Sequence, residues 1–254
     1  MATTSQPSGF IGNLSADQET KLQQLWTILL KYLEASSGVE GPVNRRRSSL
    51  SRTESNISAR PSTASSNADT AQLTETMQGI GLDATQIKTI RQSLTNMTTE
   101  ELHRGFLASV KNEHPDVLML RYLRARKWDV GNAFAMMVGG VEWRIKEMHV
   151  EDDVLTKGEL HALKQSQTAN ATEKKNGEDF LAQSRVGKAF IRGTDKSGRP
   201  IVAVRVRLHQ PGAQSQEVLN QFIVHTIESA RLLLRSPVET AVRYALVFDL
   251  KAPS

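Results

Sequence analysis

The sequence predicts an α/β protein: an N-terminal helical bundle followed by the first part of an α/β domain. Three observations lead there. Apolar residues recur with a helical period through residue 148, the period changes to two at residue 188, and a helix and a continuous apolar strand then follow. Strand, helix and strand in succession form the repeating unit of a parallel sheet. Composition narrows the function classes. With no cysteine, the chain has no disulfide framework, zinc finger, iron–sulfur site or thiol nucleophile, and a reducing compartment suits it. No run approaches the 18 apolar residues of a membrane-spanning helix. A net charge of +5 favours acidic partners, either nucleic acid or an anionic membrane surface.

Residues 1–13 read as a frayed terminus. Ser15 and Gln18 have the spacing of a capping box, in which each side chain satisfies a free backbone N–H of the other. Leu22, Leu25, Trp26, Leu29 and Leu33 then lie on one face of a helix ending near Glu34, a face suited to a protein core or, with less support from its few cations, to a membrane surface. Residues 1–34 thus form an extension with one amphipathic helix. Residues 35–70 hold ten serines and few large aliphatic side chains, too little apolar area to offset ordering entropy, so a disordered Ser/Arg-rich linker is expected. Arg45-Arg46-Arg47 and Arg52 precede the candidate phosphorylation sites Ser48, Ser49 and Ser55. Phosphate there would reverse the local charge and release an acidic partner or membrane.

Residues 71–150 read as a helical domain. A weak helix over 71–79 ends at Gly79 and Gly81, a second carries Ile87, Ile90 and Leu94, and a Thr98–Glu101 capping box opens a third through Val110. Pro115 fits the first turn of the next helix, Asp116 to about Lys127, and Asp129 caps another through Met148. A close neighbouring helix would explain Gly139-Gly140 within it. Residues 151–185 are polar, with a short helix at about 156–165 and an exposed loop from Asn170 to Glu178. The partial α/β domain spans 186–254. Lys188–Arg192 and Pro200–Leu208 form a hairpin around Asp195-Lys196-Ser197-Gly198. Ser215 caps a helix to about Arg235 that buries Leu219, Phe222, Ile223, Ile227, Ala230 and Leu234, and Tyr244–Leu250 reads as a strand buried on both faces. One crossover and one hairpin do not close a sheet core, so the pattern reads as the opening third to half of an α/β domain.

No catalytic constellation emerges. The Gly79–Ala84 match to a dinucleotide loop follows a helical pattern instead of a strand, no GxSxG elbow occurs, and the histidines include no i, i+4 pair. Neither an enzyme activity, a metal nor a cofactor is expected. Asp249 lies near the C-terminal end of its strand, a frequent address of function in open sheets, where it also suits a structural hydrogen bond. One basic cluster remains, in which Arg121, Arg124, Arg126 and Lys127 alternate with Tyr122 and Trp128. Three readings fit: a nucleic-acid surface, cations complementing a helix dipole, or guanidinium forks around a headgroup phosphate.

These residues also carry a resemblance. His114 to Val130, with Leu120-Arg121-Tyr122-Leu123-Arg124-Ala125-Arg126-Lys127-Trp128-Asp129-Val130 at its centre and Glu142-Trp143-Arg144 after it, resembles the N-terminal module of the CRAL-TRIO family of yeast-type phosphatidylinositol transfer proteins. Asp195-Lys196-Ser197-Gly198-Arg199-Pro200-Ile201 resembles the family's DKxGRPV segment, and Phe248-Asp249-Leu250 its next strand. The resemblance covers about 85–150 and 186–254, and the family's glycine after Asp-Leu is replaced by Ala252. It implies an α/β bowl whose hydrophobic cavity holds one phospholipid under a mobile helix. It further implies non-enzymatic transfer or presentation of phosphatidylinositol by a cytoplasmic, peripherally membrane-associated protein. That protein would be monomeric when complete and would bind no nucleic acid. The second Arg of the Arg-Ala-Arg-Lys run, here Arg126, would approach the inositol phosphate with Lys127 beside it, whereas Arg121 and Arg124 would be structural. A membrane- or partner-recruiting adaptor without lipid exchange is the alternative.

Overall fold

The computed structural model of the chain describes residues 7–35, 67–234 and 243–250. Most of the Ser/Arg-rich stretch, including Ser48, Ser49 and Ser55, lies outside the described residues. The order is α1 (Ala16–Ala35), α2 (Asn67–Gly79), α3 (Ala84–Ser93), α4 (Thr99–Val110), α5 (Pro115–Ala125), α6 (Val130–Glu142), α7 (Thr156–Ser166), α8 (Ala171–Arg185), β1 (Ala189–Thr194), β2 (Pro200–Arg205), α9 (Gln216–Arg231) and β3 (Ala245–Asp249). Helices therefore dominate and one small mixed sheet follows, as the fold class requires.

Local capping sets the helix starts. Ser15 and Gln18 exchange backbone hydrogen bonds at 3.0 and 3.3 Å, Thr98 and Glu101 close the expected box, and Asp83 with Gln86 forms a third. His114 caps α5 ahead of Pro115. The stripe of α1 faces protein instead of a membrane: Leu25, Ile28 and Leu29 are fully buried in a core shared with Met77, Ile90, Leu102, Met119, Leu123, Phe134 and Met137. Trp26 Nε1 donates to Asp116 at 2.7 Å, and the Tyr32 hydroxyl donates to the Met97 carbonyl at 2.6 Å. Residues 7–13 are not frayed. They form a compact turn, with the Asn13 carbonyl accepting from Gly9 N–H at 2.9 Å, and Phe10 is buried.

Three other expectations for the helices need correction. Gly139 meets no close neighbour and Gly140 faces only the Tyr122 hydroxyl; the tight helix contact is instead at Gly105, where an added Cβ would sit 2.8 Å from Ile145 Cδ1. Asn170 to Glu178 is not a loop, because Asn170 caps α8, which packs along α7 and buries Phe180 and Leu181. On α9 the buried residues are Val218, Phe222, Thr226, Glu228 and Ala230, whereas Ile223 is exposed. After α6 the chain continues as two π-helical runs, Trp143–Glu147 and Val150–Leu155, separated by His149 in the left-handed region at φ 46°.

The sheet order is β1-β2-β3. β1 and β2 form the expected antiparallel hairpin, with Phe190 opposite Ala203, and β2 runs parallel to β3, with Val204 opposite Phe248. β2 stops at Arg205 instead of Leu208, where its pairing with β3 ends opposite Asp249 and Val206–Leu208 forms a 3-10 turn. β3 is not covered on both faces among the described residues: Leu246, Val247 and Phe248 are each about half exposed. An apolar strand at a sheet edge needs such cover to gain its hydrophobic stabilisation.

Candidate anion-binding sites

Helix α5 brings the basic cluster together, and its C-terminus sorts that cluster into two classes. Arg121 and Arg124 are committed to protein contacts. Arg121 grips Glu113 through both terminal nitrogens, Nη1 at 2.7 Å, and the Glu113 side chain is fully buried. Arg124 Nη1 donates to the Gly9 carbonyl at 2.7 Å, and its guanidinium lies 4.0 Å from the centre of the Phe10 ring. The same ring meets Arg243, just before β3, at 4.5 Å. Burial, then the charges of Arg243 and Arg121, pull Arg124 down to about 10. Both guanidiniums thus pack on one buried aromatic ring.

Arg126 and Lys127 differ. Both are exposed, and neither side chain has a hydrogen-bond or ion-pair partner among the described residues. Arg126 is the C-cap of α5, and its N–H donates to the Tyr122 carbonyl at 3.0 Å. Lys127 and Trp128 follow at φ 51° and 67°, and Asp129 then caps α6. Two successive non-glycine residues in the left-handed region turn the chain sharply and set these cations on the outer corner between α5 and α6. Such strain costs roughly 1–2 kcal/mol per residue. Lys127→Gly should therefore gain a net of about 0.5–1 kcal/mol once the extra chain entropy of glycine is counted. A differential thermal melt checks this through a rise of about 1–4 °C. A fall in melting temperature would show that the Lys127 side chain contributes more to the fold than its backbone costs.

A second group of charges has no local signature in the sequence. The first π-helical run carries Arg144 inward, where Nη1 and Nη2 donate to Glu228 of α9 at 2.7 and 3.0 Å and Nη2 also meets Glu151. Arg231 donates to Glu228 at 3.0 Å and to the Ser109 carbonyl, and Lys111 lies 3.0 Å from Glu151 and 3.5 Å from Glu228. Burial pushes the Glu228 carboxyl up, but Arg144 and Arg231 outweigh it and hold the group at about 2. This network joins α9 to the helices that precede it. Its sequence signals are Arg144, within the Glu142-Trp143-Arg144 segment, and an acid, Glu228, beside the apolar stripe of α9. The network backs a cleft of about 250 Å³ lined by Ser109, Leu118, Arg121, Tyr122, Ala125, Met136, Arg144 and Arg231. Asp249, at the C-terminal end of β3, accepts from Arg207 Nε at 2.7 Å. Among the described residues there is no metal-ligating cluster, and no helix is long and apolar enough to cross a membrane.

Comparison with known proteins matches residues 71–139 to the family described as CRAL/TRIO, N-terminal domain, and residues 184–254 to the CRAL/TRIO domain. A CRAL-TRIO domain-containing protein of Schizosaccharomyces pombe is 31% identical over 254 residues, covering 94% of this chain and 52% of that protein. The phosphatidylinositol transfer protein CSR1 of Eremothecium gossypii is 37% identical over 147 residues, covering 58% of this chain and 30% of that protein. The chain thus spans about half the length of the first of these relatives and less of the second.

Proposed function

Because the chain belongs to the CRAL-TRIO family, we propose that it serves a protein that binds a phospholipid, phosphatidylinositol first, and transfers or presents it between membranes. Arg126 grips the headgroup phosphate and Lys127 adds charge beside it. The observation that carries this reading is the sorting of the cluster: Arg121 and Arg124 are held by Glu113, Gly9 and Phe10, while the two cations beyond them have no protein partner among the described residues. Exposed guanidinium donors at a helix end suit a phosphate that arrives from outside. Lipid exchange breaks no covalent bond, so it needs no catalytic group and no cofactor. The protein works in the cytoplasm and meets membranes at their surface as a monomer. Phosphates on Ser48, Ser49 and Ser55, beside Arg45–Arg47, would weaken its hold on an anionic membrane.

The test is transfer of labelled phosphatidylinositol from donor to acceptor vesicles. Arg126→Ala should lower the transfer rate about tenfold, the worth of one charge-assisted hydrogen bond, and should leave the melting temperature within about 1–2 °C because the side chain is exposed. Undiminished transfer by the variant removes the headgroup assignment. Vesicle binding with no exchange, by variant and parent alike, replaces transfer with the recruiting-adaptor reading.

A further inference from the structure

The corner that presents Arg126 and Lys127 is closed by two backbone hydrogen bonds. Lys127 N–H donates to the Arg124 carbonyl at 3.2 Å, and Trp128 N–H donates to the Leu123 carbonyl at 2.7 Å. Together they make a Schellman closure of α5, with Lys127 in the left-handed position that glycine usually fills. Trp128 follows in the same region at φ 67°. The closure accounts for Lys127 but not for Trp128, because neither bond fixes the rotation about the Trp128 N–Cα bond. A strained residue of this kind persists where its surroundings hold it.

The turn over residues 7–13 supplies that hold. Gly9 has φ 84°, and a Cβ on it would lie 3.0 Å from Trp128 Cζ2 and 3.6 Å from Arg124 Cδ, so the Gly9 backbone rests against the indole. The Gly9 carbonyl accepts from Arg124 Nη1 at 2.7 Å, which keeps that guanidinium on the protein. Phe10, 8% exposed, anchors the turn by taking the guanidiniums of Arg124 and Arg243 on its ring. Ile11, Leu14 and Trp128 all pack against the main core, so the indole meets the core and the turn at once. Residues 7–13 precede the matched family segment, which begins at residue 71.

We propose that Gly9 and Phe10 are positioning residues of the headgroup site. By seating Trp128 they set the direction in which Arg126 and Lys127 offer their donors to a phosphate. Gly9 does so from 115 positions before Arg124, through the indole and the Arg124 guanidinium. The proposal rests on the headgroup reading of Arg126.

The experiment titrates the 254-residue chain with soluble inositol 1-phosphate. It follows the backbone amide signals of Arg126, Lys127 and Trp128 and the Trp128 indole N–H. Gly9→Ala pushes a methyl group into the indole. It should move the Lys127 and Trp128 signals before any ligand is added, and it should weaken binding about tenfold, as Arg126→Ala does. Combining the two substitutions should weaken binding no further, because both act through one contact, whereas a change that merely loosened the fold would add to the loss. Gly12→Ala is the control. Its φ is also 84°, but an added Cβ meets nothing within 4 Å. It should leave the corner signals in place and bind like the parent. If Gly9→Ala behaves like Gly12→Ala, or its loss adds in full to that of Arg126→Ala, the proposal is overturned and the headgroup reading stands. Equal binding by the parent and Arg126→Ala, or none by either, overturns the headgroup reading and this role with it.

Discussion

Glu228→Gln should destabilise the chain by about 3–5 kcal/mol, the usual cost of leaving buried charge unpaired. The Glu228 side chain is 5% exposed and is the common acceptor for Arg144, Arg231 and Lys111, of which Arg144 and Lys111 are themselves 9% exposed. Removing its charge leaves Arg231 with no carboxylate among the described residues and Arg144 and Lys111 with Glu151 alone, in a space from which water is largely excluded. Against a total stability of about 5–15 kcal/mol, the melting temperature should fall by about 10 °C or more. A double substitution, Arg144→Met with Glu228→Leu, should recover part of the loss, because an apolar pair of similar volume removes the desolvation penalty of that pair while Arg231 and Lys111 still lack their acceptor. The pH profile supplies an independent check. Glu228 falls from 4.5 to about 2 on folding. A depressed carboxyl contributes stability that is complete above its unfolded value and disappears as pH drops through its folded one, so this contribution is intact above about pH 4.5 and gone near pH 2. Its size is on the order of 3 kcal/mol. The gap in stability between parent and Glu228→Gln, measured by denaturant titration, should therefore close across that window. A gap that stays constant down to pH 2 would show that the carboxylate charge is not what joins α9 to the helical part.

Gly177→Ala should cost about 3 kcal/mol, reversing the usual sign for a helix. In an open helix the change gains about 1 kcal/mol. Here an added Cβ would lie 2.6 Å from Ser166 N and 2.8 Å from Gln165 Cβ, and against the Ala162 carbonyl oxygen. Two of those three atoms belong to the α7 backbone and cannot swing aside, so α8 must move off α7 and loosen Phe180, which meets Phe222 edge-on at 5.8 Å. Overpacking of this kind costs about 1–3 kcal/mol and occasionally more. Lys174→Ala, exposed on the same helix, is the matched control and should change stability by less than about 0.5 kcal/mol. If chemical denaturation finds Gly177→Ala as stable as that control, the two helices are not packed backbone to backbone.

The elements that could be read in the sequence are those whose causes are local. The boxes at Ser15 and Thr98, the proline after His114 and the Asp129 cap each lie within four residues of what they fix, and each helix starts where they place it. Helix α8 escaped because its stabilisation is not local. Its first two turns are nearly all polar, and only the closeness of α7 explains Gly177. The basic run was legible as a cluster but its division was not. Arg124 and Gly9 are 115 positions apart, and Arg144 and Glu228 are 84 apart, so which guanidiniums are occupied depends on the completed fold. The cleft has the same origin, since α9 supplies one of its three arginines.

The position of Phe10 has a consequence for the order in which the protein is made. Phe10 leaves the ribosome long before Arg243, which also packs on its ring. At roughly 5–20 residues per second, the two are synthesised about 10–50 s apart. Arg124 arrives about halfway between them and can pack on the ring by itself. The contact with Arg243 waits for the residues beside β3. The aromatic ring therefore spends much of its early life incompletely covered, and a chaperone that recognises exposed aromatic residues has its opportunity at this turn before β3 is in place.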